Sequence, residues 1–191
     1  MAADLDLKAI KAEARKAAFA RRRLAFDAGH TAQAAHLAAV LRAFKGLPLA
    51  GYMPMRTEID PLPAMTAAAA HGPVAVPVIQ GPGLPLLFRQ WTPGCVMIEG
   101  PFKAMIPAAG DWIVPQVLIV PLVAFDAQGG RLGYGGGFYD RTLQGLRARG
   151  PVTAVGYAWA AQEAEDLPLE PTDQRLEIVV TEQGVRFRAA G

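Results

Sequence analysis

The segment from 117 to 144 constrains the fold more than any other part of the chain, because it joins a strand to a helix through a glycine-rich loop. The run Val117 to Val120 is entirely apolar and lies between Pro115 and Pro121. Such a run is typical of a central strand in a sheet that is covered on both faces. The loop that follows contains six glycines and leads directly into the amphipathic sequence FYDRTLQGLRAR. A buried strand, a loop and a helix in this order indicate an α/β domain.

The rest of the chain alternates between helical and strand-like segments. Thirteen of the 16 prolines lie between residues 46 and 126, which excludes long helices there. Helices are predicted over 5–28, 32–45, 63–70 and 138–149. Strands are predicted over 49–53, 74–79, 117–120 and 152–159, and the pair 176–181 and 185–188 predicts either a terminal hairpin or two separate strands. This alternation predicts a single domain over residues 1–191 with α/β three-layer architecture.

The first predicted helix is strongly basic. The first 45 residues hold nine of the 19 basic side chains, including the run from Arg21 to Arg23. Helical spacing predicts one apolar face formed by Leu7, Ile10, Ala14, Ala18 and Leu24. Gly29 is predicted to cap the C-terminus of this helix.

Composition excludes several classes of protein. A single cysteine, Cys95, excludes an internal disulfide framework and fits a reducing compartment. No apolar stretch supplies a membrane span of about 20 residues, and the N-terminus lacks a signal-peptide core. The net charge of +2 does not favour a nucleic-acid partner. We therefore expect a cytoplasmic protein with no membrane or nucleic-acid partner, and a monomer.

The glycine-rich loop is a candidate anion site. Dense glycine lets backbone N–H groups converge, and the N-terminus of a helix adds free N–H groups with a partial positive charge. Arg131 can add a bidentate contact to phosphate or carboxylate. The loop is neither a P-loop nor a GxGxxG motif, because no Gly-Lys-Ser/Thr follows and Phe138 stands where the last glycine should be. From the glycines alone, phosphate binding and a flexible turn are equally good interpretations.

Asp140 falls in the first turn of the helix after this loop. A carboxylate there interacts favourably with the helix dipole, which by itself is a sufficient explanation. Beside bound phosphate, the same carboxylate would also suit a Mg²⁺ ion that bridges ligand oxygens. Both interpretations stay open on these residues.

A longer pattern resembles a known family. RLGYGGGFYDR is similar to the signature of the 5-formyltetrahydrofolate cyclo-ligases, also called methenyltetrahydrofolate synthetases. Three further segments follow the family in the same order: a K-x-x-x-R helix at Lys11 and Arg15, GYMPMRTEID with Glu58, and LPLEPTDQRLEIVVTE with Asp173. The resemblance extends from about residue 8 to 185.

The resemblance implies a fold and a reaction. The fold is a three-layer α/β/α sandwich with a mostly parallel central sheet, related to sugar-phosphate isomerases and CoA transferases. The reaction converts 5-formyltetrahydrofolate into 5,10-methenyltetrahydrofolate with ATP and Mg²⁺, and releases ADP and phosphate. The formyl oxygen is first phosphorylated, nitrogen 10 attacks the activated carbon, and phosphate departs. Such chemistry needs positioning and charge neutralisation but no covalent nucleophile.

The resemblance also implies site residues for two small-molecule substrates. It assigns ATP binding to Lys11, Arg15, Arg131, Leu132, Gly133, Tyr134, Gly135, Gly136, Gly137, Phe138 and Tyr139. It assigns folate binding to Met53, Glu58, Tyr134, Gly135, Gly136, Gly137 and Phe138. Arg131 and Tyr139 are the catalytic candidates, and Asp140 and Asp173 are the candidate Mg²⁺ ligands.

Each carried-over position also has an ordinary structural interpretation. Lys11 and Arg15 suit a solvated helix face, Glu58 suits an exposed loop, and Asp173 suits the start of a turn. Packing explains the apolar and aromatic positions equally well, namely Met53, Phe138 and Tyr139.

The chain departs from the family pattern at three positions. Tyr134 and Gly136 stand where some members carry basic residues inside the loop, which leaves more of the phosphate contacts to Arg131 and the backbone. Thr172 stands where a histidine is common, which weakens the assignment of the neighbouring Asp173.

Two other functions compete with this interpretation. A sugar-phosphate isomerase on the same fold would also use a glycine loop, but it needs an acid–base pair, and none is obvious near the loop. It would also need no ATP. A nucleic-acid-binding module built on the basic N-terminal helices lacks a recognised motif and a strongly basic overall charge.

Overall fold

The computed structural model describes residues 2–29 and 34–189. The helices are α1 (Ala2–Asp27), α2 (Ala34–Leu41), α3 (Leu62–Ala69) and α4 (Phe138–Arg147). The strands are β1 (Leu49–Ala50), β2 (Val74–Val78), β3 (Leu87–Trp91), β4 (Met97–Glu99), β5 (Met105–Pro107), β6 (Val117–Pro121), β7 (Ala124–Phe125), β8 (Arg131–Leu132), β9 (Thr153–Tyr157), β10 (Ile178–Thr181) and β11 (Gly184–Arg188). None of the helices in these residues combines the length and the apolar character needed to cross a bilayer.

A seven-stranded sheet forms the centre of the molecule, in the order β11-β10-β9-β6-β1-β2-β3. The five inner strands pair in parallel, and β3 and β11 add to the two edges in antiparallel orientation. The mostly parallel sheet predicted from the sequence is therefore confirmed. The terminal pair is a hairpin, with a register irregularity between Val179 and Val180.

Helices cover both faces of the sheet. The side chains of β6 alternate between two cores, with Val117 and Ile119 on one face and Leu118 and Val120 on the other. Helices α2 and α3 pack in the first core, whereas α4 packs in the second through Leu143. This alternation explains why the apolar run of β6 is continuous, and it gives the three-layer α/β/α arrangement.

Most predicted elements lie close to their expected positions. The helix expected over 32–45 begins at residue 34 in the described chain and ends as a 3₁₀ turn over Arg42–Phe44; residues 32 and 33 lie outside the described part. Gly29 has a φ of 67° and follows α1 as a left-handed cap, as expected. The strand expected over 49–53 is wrong in length, because the observed strand is shorter. Its pairing stops at Ala50, and the residues that follow line a cleft.

The predicted apolar face of α1 is wrong in orientation. Ala18 is buried, but Ile10 and Leu24 are 49% and 71% exposed. The residues that α1 buries beside Ala18 are the cations Lys11 and Arg22. Buried charges require polar partners, and Lys11 and Arg22 both have them on other segments of the fold. The basic stripe of α1, which these two residues form, therefore faces inward.

The glycine-rich segment is divided into two parts by the antiparallel ribbon β7–β8. Gly129 and Gly130 lie in the turn of this ribbon, where Asp126 Oδ1 accepts hydrogen bonds from the N–H groups of Gln128 and Gly130 at 2.9 and 2.7 Å. Only the glycines from Gly133 onwards line the cleft described below. Two of the six glycines in the predicted loop thus belong to a structural turn.

Candidate active site

A cleft of about 1120 Å³ lies at the carboxyl ends of the parallel strands, where α/β sheets commonly bind ligands. Met53 follows β1, Ile79 follows β2, and Pro121 ends β6, and all three line the cleft. The structure brings every predicted site residue to this cleft: Lys11, Arg15, Met53, Glu58, Arg131, Leu132, Gly133, Tyr134, Gly135, Gly136, Gly137, Phe138, Tyr139, Asp140 and Asp173.

The glycine loop ends in an uncapped helix N-terminus. Gly135 and Gly137 have φ angles of 98° and 64°, a backbone conformation that strongly favours glycine. Gly137 begins α4 without any side-chain hydrogen bond to the first N–H groups of the helix. These N–H groups, and the positive end of the helix dipole, therefore face the cleft as an anion-binding element.

Helix α1 brings two cations to the side of the cleft that contains the glycine loop. Lys11 Nζ donates to Asp173 Oδ2 at 2.9 Å and also to Glu170, and only 8% of the residue is exposed. Burial lowers the pKa of Lys11, but the hydrogen bonds and charges of Asp173 and Glu170 outweigh it and raise the pKa overall. Arg15 Nε donates to the carbonyl of Gly133 at 2.8 Å. Neither cation lies on a solvated helix face.

Asp140 forms an ion pair with Arg131. Arg131 Nη2 donates to Asp140 Oδ1 at 2.6 Å, and the backbone N–H of Gln174 donates to the same oxygen at 2.9 Å. The Arg131 side chain is 3% exposed, and its Nε has no partner among the described residues. Asp140 therefore does more than complement the dipole of α4: it compensates a buried guanidinium and ties α4 to the loop before β10.

Within the described residues, the two candidate Mg²⁺ ligands each keep one oxygen free of protein hydrogen bonds. Asp140 uses Oδ1, and Asp173 uses Oδ2 to accept from Lys11 and from the N–H of Glu170. No group of three or more His, Cys, Asp or Glu side chains in the described part of the chain could hold a metal on its own. This donor set fits Mg²⁺, which typically takes one or two carboxylates and completes its shell with water and substrate phosphates.

Two aromatic residues of α4 form a wall of the cleft. The Phe138 ring lies edge-on to that of Phe102, with centroids 6.3 Å apart. The Tyr139 hydroxyl is buried without a hydrogen-bond partner in the described residues. Burial raises the pKa of Tyr139, and the charge of Glu58 raises it further, so the phenol stays protonated and can donate a hydrogen bond to a ligand.

Glu58 lies on the other side of the loop tip and is fixed at both carboxylate oxygens. The Tyr134 hydroxyl donates to Oε1 at 2.5 Å, and the N–H of Met55 donates to Oε2 at 2.8 Å. Burial raises the pKa of Glu58, although these hydrogen bonds and the charge of Arg22 oppose the shift. Together with Met53 and Met55, this carboxylate lines an apolar part of the cleft.

The sequence predictions missed several residues around the cleft. Phe102, from the tip of the β4–β5 hairpin, and Glu170, the partner of Lys11, both line it, and no sequence pattern marked either one. Arg22 lies behind the cleft wall and does carry a signal, because it follows Lys11 by 11 residues, close to three helical turns, and so lies on the same face.

The model of the 5-formyltetrahydrofolate cyclo-ligase family matches residues 7–182. The chain belongs to this family. A 5-formyltetrahydrofolate cyclo-ligase of Mycolicibacterium smegmatis is 29% identical over 184 residues, which cover 90% of this chain and 93% of that protein. The cyclo-ligase of Haemophilus influenzae is 41% identical over 46% of this chain, and that of Escherichia coli K12 is 56% identical over 35%. These two matches span only 49% and 36% of the relatives' own lengths.

Solved structures of cyclo-ligase relatives have the same fold. The NMR structure of Aquifex aeolicus 5,10-methenyltetrahydrofolate synthetase superimposes with a TM-score of 0.76 and 27% identity, covering 95% of this chain and 94% of that one. The 5,10-methenyltetrahydrofolate synthetase of Mycoplasma pneumoniae, at 19% identity and a TM-score of 0.59, agrees in fold. The expected fold class is thereby confirmed.

Proposed function

We propose that this chain is an ATP-dependent 5-formyltetrahydrofolate cyclo-ligase, which converts 5-formyltetrahydrofolate and ATP into 5,10-methenyltetrahydrofolate, ADP and phosphate. The observation that carries the proposal is that one cleft of a cyclo-ligase family member has two chemically different sides. One side offers an uncapped helix, a glycine loop and cations, which suit a polyphosphate. The other offers Glu58 among apolar residues, which suits a polar heterocycle.

On the phosphate side, the chain positions ATP and neutralises its charge. We assign Lys11, Arg15 and the N–H groups from Gly133 to Tyr139 to the phosphates. The formyl oxygen attacks the γ-phosphorus as the bond to ADP breaks. Phosphoryl transfer of this kind requires mainly fixed positive groups, because charge develops on the transferred oxygens. Arg131, held by its ion pair with Asp140, is one such group.

Mg²⁺ is the metal that this site suits, with Asp140 and Asp173 as its ligands through their unused oxygens. When bound, it would supply charge neutralisation on the ATP phosphates. The two carboxylates are held in place by hydrogen bonds from Arg131, Gln174 and Lys11.

On the folate side, the chain orients the substrate for ring closure. We assign Glu58 and Met53 to the folate, with Tyr134 and the loop glycines between the two substrates. Nitrogen 10 attacks the activated carbon and loses its proton, and the phosphate leaves with the former formyl oxygen. The Phe138 ring, packed on Phe102, excludes water that would otherwise hydrolyse the activated intermediate.

The remaining expectations stay part of the proposal. The chain works as a single domain and a cytoplasmic monomer on small-molecule substrates, without nucleic-acid or membrane partners. The alternative of a sugar-phosphate isomerase is not favoured, because the whole matched range belongs to the cyclo-ligase family.

The proposal is tested by following methenyltetrahydrofolate absorbance with each component omitted in turn. We expect product only when ATP and Mg²⁺ are both present, with one ADP and one phosphate released for each methenyl group formed. Product that forms at the same rate after removal of nucleotide and chelation of metal would overturn the proposal. An ATP-independent isomerase would give no methenyl absorbance under any of these conditions.

A further inference from the structure

Arg22 is a buried guanidinium that the proposed reaction has not used. Only 2% of the residue is exposed, and it does not line the cleft. Its Nε donates to Thr57 Oγ1 at 2.9 Å, and its Nη1 donates to the Tyr134 hydroxyl at 2.6 Å. Among the residues that the structure describes, no carboxylate lies within salt-bridge distance of it. A buried charge without such a partner is costly, so its position calls for a compensating interaction.

The compensating carboxylate is Glu58, one hydrogen bond further away. The Tyr134 hydroxyl accepts from Arg22 and donates to Glu58 Oε1 at 2.5 Å, so both hydrogen-bonding capacities of the phenol are used. The guanidinium also lies 5.0 Å from the Phe19 ring centroid and 5.6 Å from that of Tyr134. These contacts form one chain that runs from α1 through the tip of the glycine loop to the carboxylate.

The electrostatics agree with this geometry. Burial raises the pKa of Glu58, and the Tyr134 hydrogen bond and the charge of Arg22 both act in the opposite direction. The loop itself carries no cation between Leu132 and Phe138. Positive charge beside the tip of the loop therefore comes from outside the loop: from Arg22 of α1, and from Arg141 of α4, whose Nη2 donates to the carbonyl of Gly136 at 2.6 Å.

We infer that Arg22 is a positioning residue for the folate site, which acts through the Tyr134 hydroxyl to hold the Glu58 carboxylate and the tip of the glycine loop against each other. This inference rests on the proposed function, which assigns Glu58 to the folate. Arg22 itself touches neither substrate, because it is buried behind the cleft wall. Its effect should fall on the folate side, since Lys11 and Arg15 serve the phosphates from the same helix through separate contacts.

The test measures KM for each substrate, kcat and the melting temperature in three variants. Arg22→Met keeps much of the side-chain stem but removes the charge and the donors. Tyr134→Phe removes only the hydroxyl that links Arg22 to Glu58. Arg23→Met is the matched control on the same helix, because Arg23 is exposed and pairs only with Asp27 at the surface.

We expect Arg22→Met and Tyr134→Phe each to raise the folate KM by roughly tenfold or more, because each breaks a hydrogen-bond chain to a charged group. The KM for ATP should rise less than the folate KM in both variants, because Lys11 and Arg15 keep their own contacts on the phosphate side. The double variant should be little worse than the poorer single variant, because both changes break the same chain. Arg22→Lys should recover part of the folate affinity, and Arg23→Met should match the wild type.

The outcomes separate this inference from the proposed function. A wild-type chain that forms no methenyl product overturns the proposed function and the inference with it. An active wild type whose Tyr134→Phe variant keeps its folate KM overturns the inference alone, even if Arg22→Met fails to fold. An equal rise of both KM values in Arg22→Met, with a lower melting temperature and no effect of Tyr134→Phe, would mean that Arg22 only holds α1 in place.

Discussion

Asp140 shows at the residue scale how one carboxylate can serve both stability and chemistry. Its Oδ1 atom accepts from the buried Arg131 and from the N–H of Gln174, while Oδ2 has no partner in the part of the chain that the structure describes. From the sequence, a helix-dipole charge and a metal ligand were both open. The structure adds the ion pair with Arg131, which neither interpretation contained. This ion pair means that a substitution of Asp140 should affect stability as well as turnover.

We predict that Asp140→Asn lowers both stability and turnover. The amide cannot neutralise the Arg131 guanidinium, so unfolding free energy should fall by about 1–3 kcal/mol and the melting temperature without ligand by several degrees. A neutral amide is also a poor Mg²⁺ ligand, so turnover should fall roughly a hundredfold or more. Thermal unfolding of the free protein and turnover over a Mg²⁺ titration measure the two effects separately. Near-wild-type turnover at saturating ATP and limiting Mg²⁺ would exclude the metal role.

Glu58 allows a prediction about how the stability of the fold depends on pH. Its pKa is raised above the ordinary value of 4.5 because burial disfavours the ionised form. The ordinary pKa applies to the unfolded chain and the raised pKa to the folded chain. Between them the folded chain binds the proton more tightly, so stability falls as the pH rises through this range. The difference in melting temperature between Glu58→Gln and wild type should therefore shift in favour of the variant between about pH 4 and pH 7.5, because the amide does not titrate while the wild-type carboxyl loses its proton.

The same variant should bind folate more weakly and nucleotide normally. The amide keeps the shape of the carboxylate but removes the charge that we assign to folate recognition. Separate binding titrations with 5-formyltetrahydrofolate and with ATP measure the two affinities. An equal loss of both affinities would contradict the assignment of Glu58 to the folate side.

At the scale of elements, α4 depends on the conformation of the glycine that precedes it. Gly137 has a φ of 64°, and a Cβ there would lie 2.6 Å from Nη1 of Arg141. Gly145 lies within the same helix, and a Cβ there would meet no atom within 4 Å. Alanine substitutions at Gly137 and at Gly145 should therefore change the stability of the protein in opposite directions.

We predict that Gly137→Ala destabilises the protein by about 1–2 kcal/mol and weakens nucleotide binding, because left-handed backbone costs a residue with a Cβ that much and the uncapped N–H groups shift. Gly145→Ala should stabilise the protein by about 0.5–1 kcal/mol and leave nucleotide affinity unchanged. Urea unfolding and nucleotide titration measure both variants. Equal effects of the two substitutions would mean that the conformation of Gly137 does not matter for the site.

At the scale of the whole molecule, the sequence predicted strands well where consecutive residues are buried. The inner strands β2, β6, β9 and β10 are continuous apolar runs, and they were predicted nearly in full. The edge strand β3, with the sequence LFRQW, and the short hairpin β4–β5 were missed, because their residues are partly exposed and carry no clear alternation. Their pairing depends on tertiary neighbours rather than on their own pattern.

Every candidate site residue lines one cleft, but the contacts among these residues were not predicted. Motifs mark residue types at fixed spacing along the chain. They could not indicate that Lys11 binds Glu170 and Asp173, or that α1 turns its basic stripe inward, because those contacts join residues about 160 positions apart. The apolar pattern of α1 predicted a different buried face, because it does not show the distant partners of the cations on this helix.

Helix α1 packs on the fold through a small apolar surface and several polar contacts, and this arrangement leads to a prediction for the whole fold. Its fully buried apolar residue in the described part of the chain is Ala18, which packs with Val123, Ala124 and Leu132, while Ala14, Phe19 and Ala25 pack against the cores and stay partly exposed. Lys11, Arg15 and Arg22 hydrogen-bond to other segments of the fold. An element held this way should open more readily than the central sheet.

We therefore predict that amide hydrogens of α1 exchange faster than those of β6 and β9 in the free protein, and that Mg²⁺ with a non-hydrolysable ATP analogue slows them selectively. If opening of α1 releases the nucleotide, ligand at about 100 times its Kd should slow this exchange by up to roughly a hundredfold. The control is the hairpin β10–β11, whose tip is remote from the phosphate contacts and should change little. Hydrogen exchange measured by mass spectrometry resolves these segments. Unchanged exchange in α1, with a raised melting temperature in the same sample, would show that the nucleotide binds without α1, and it would remove Lys11 and Arg15 from the phosphate site.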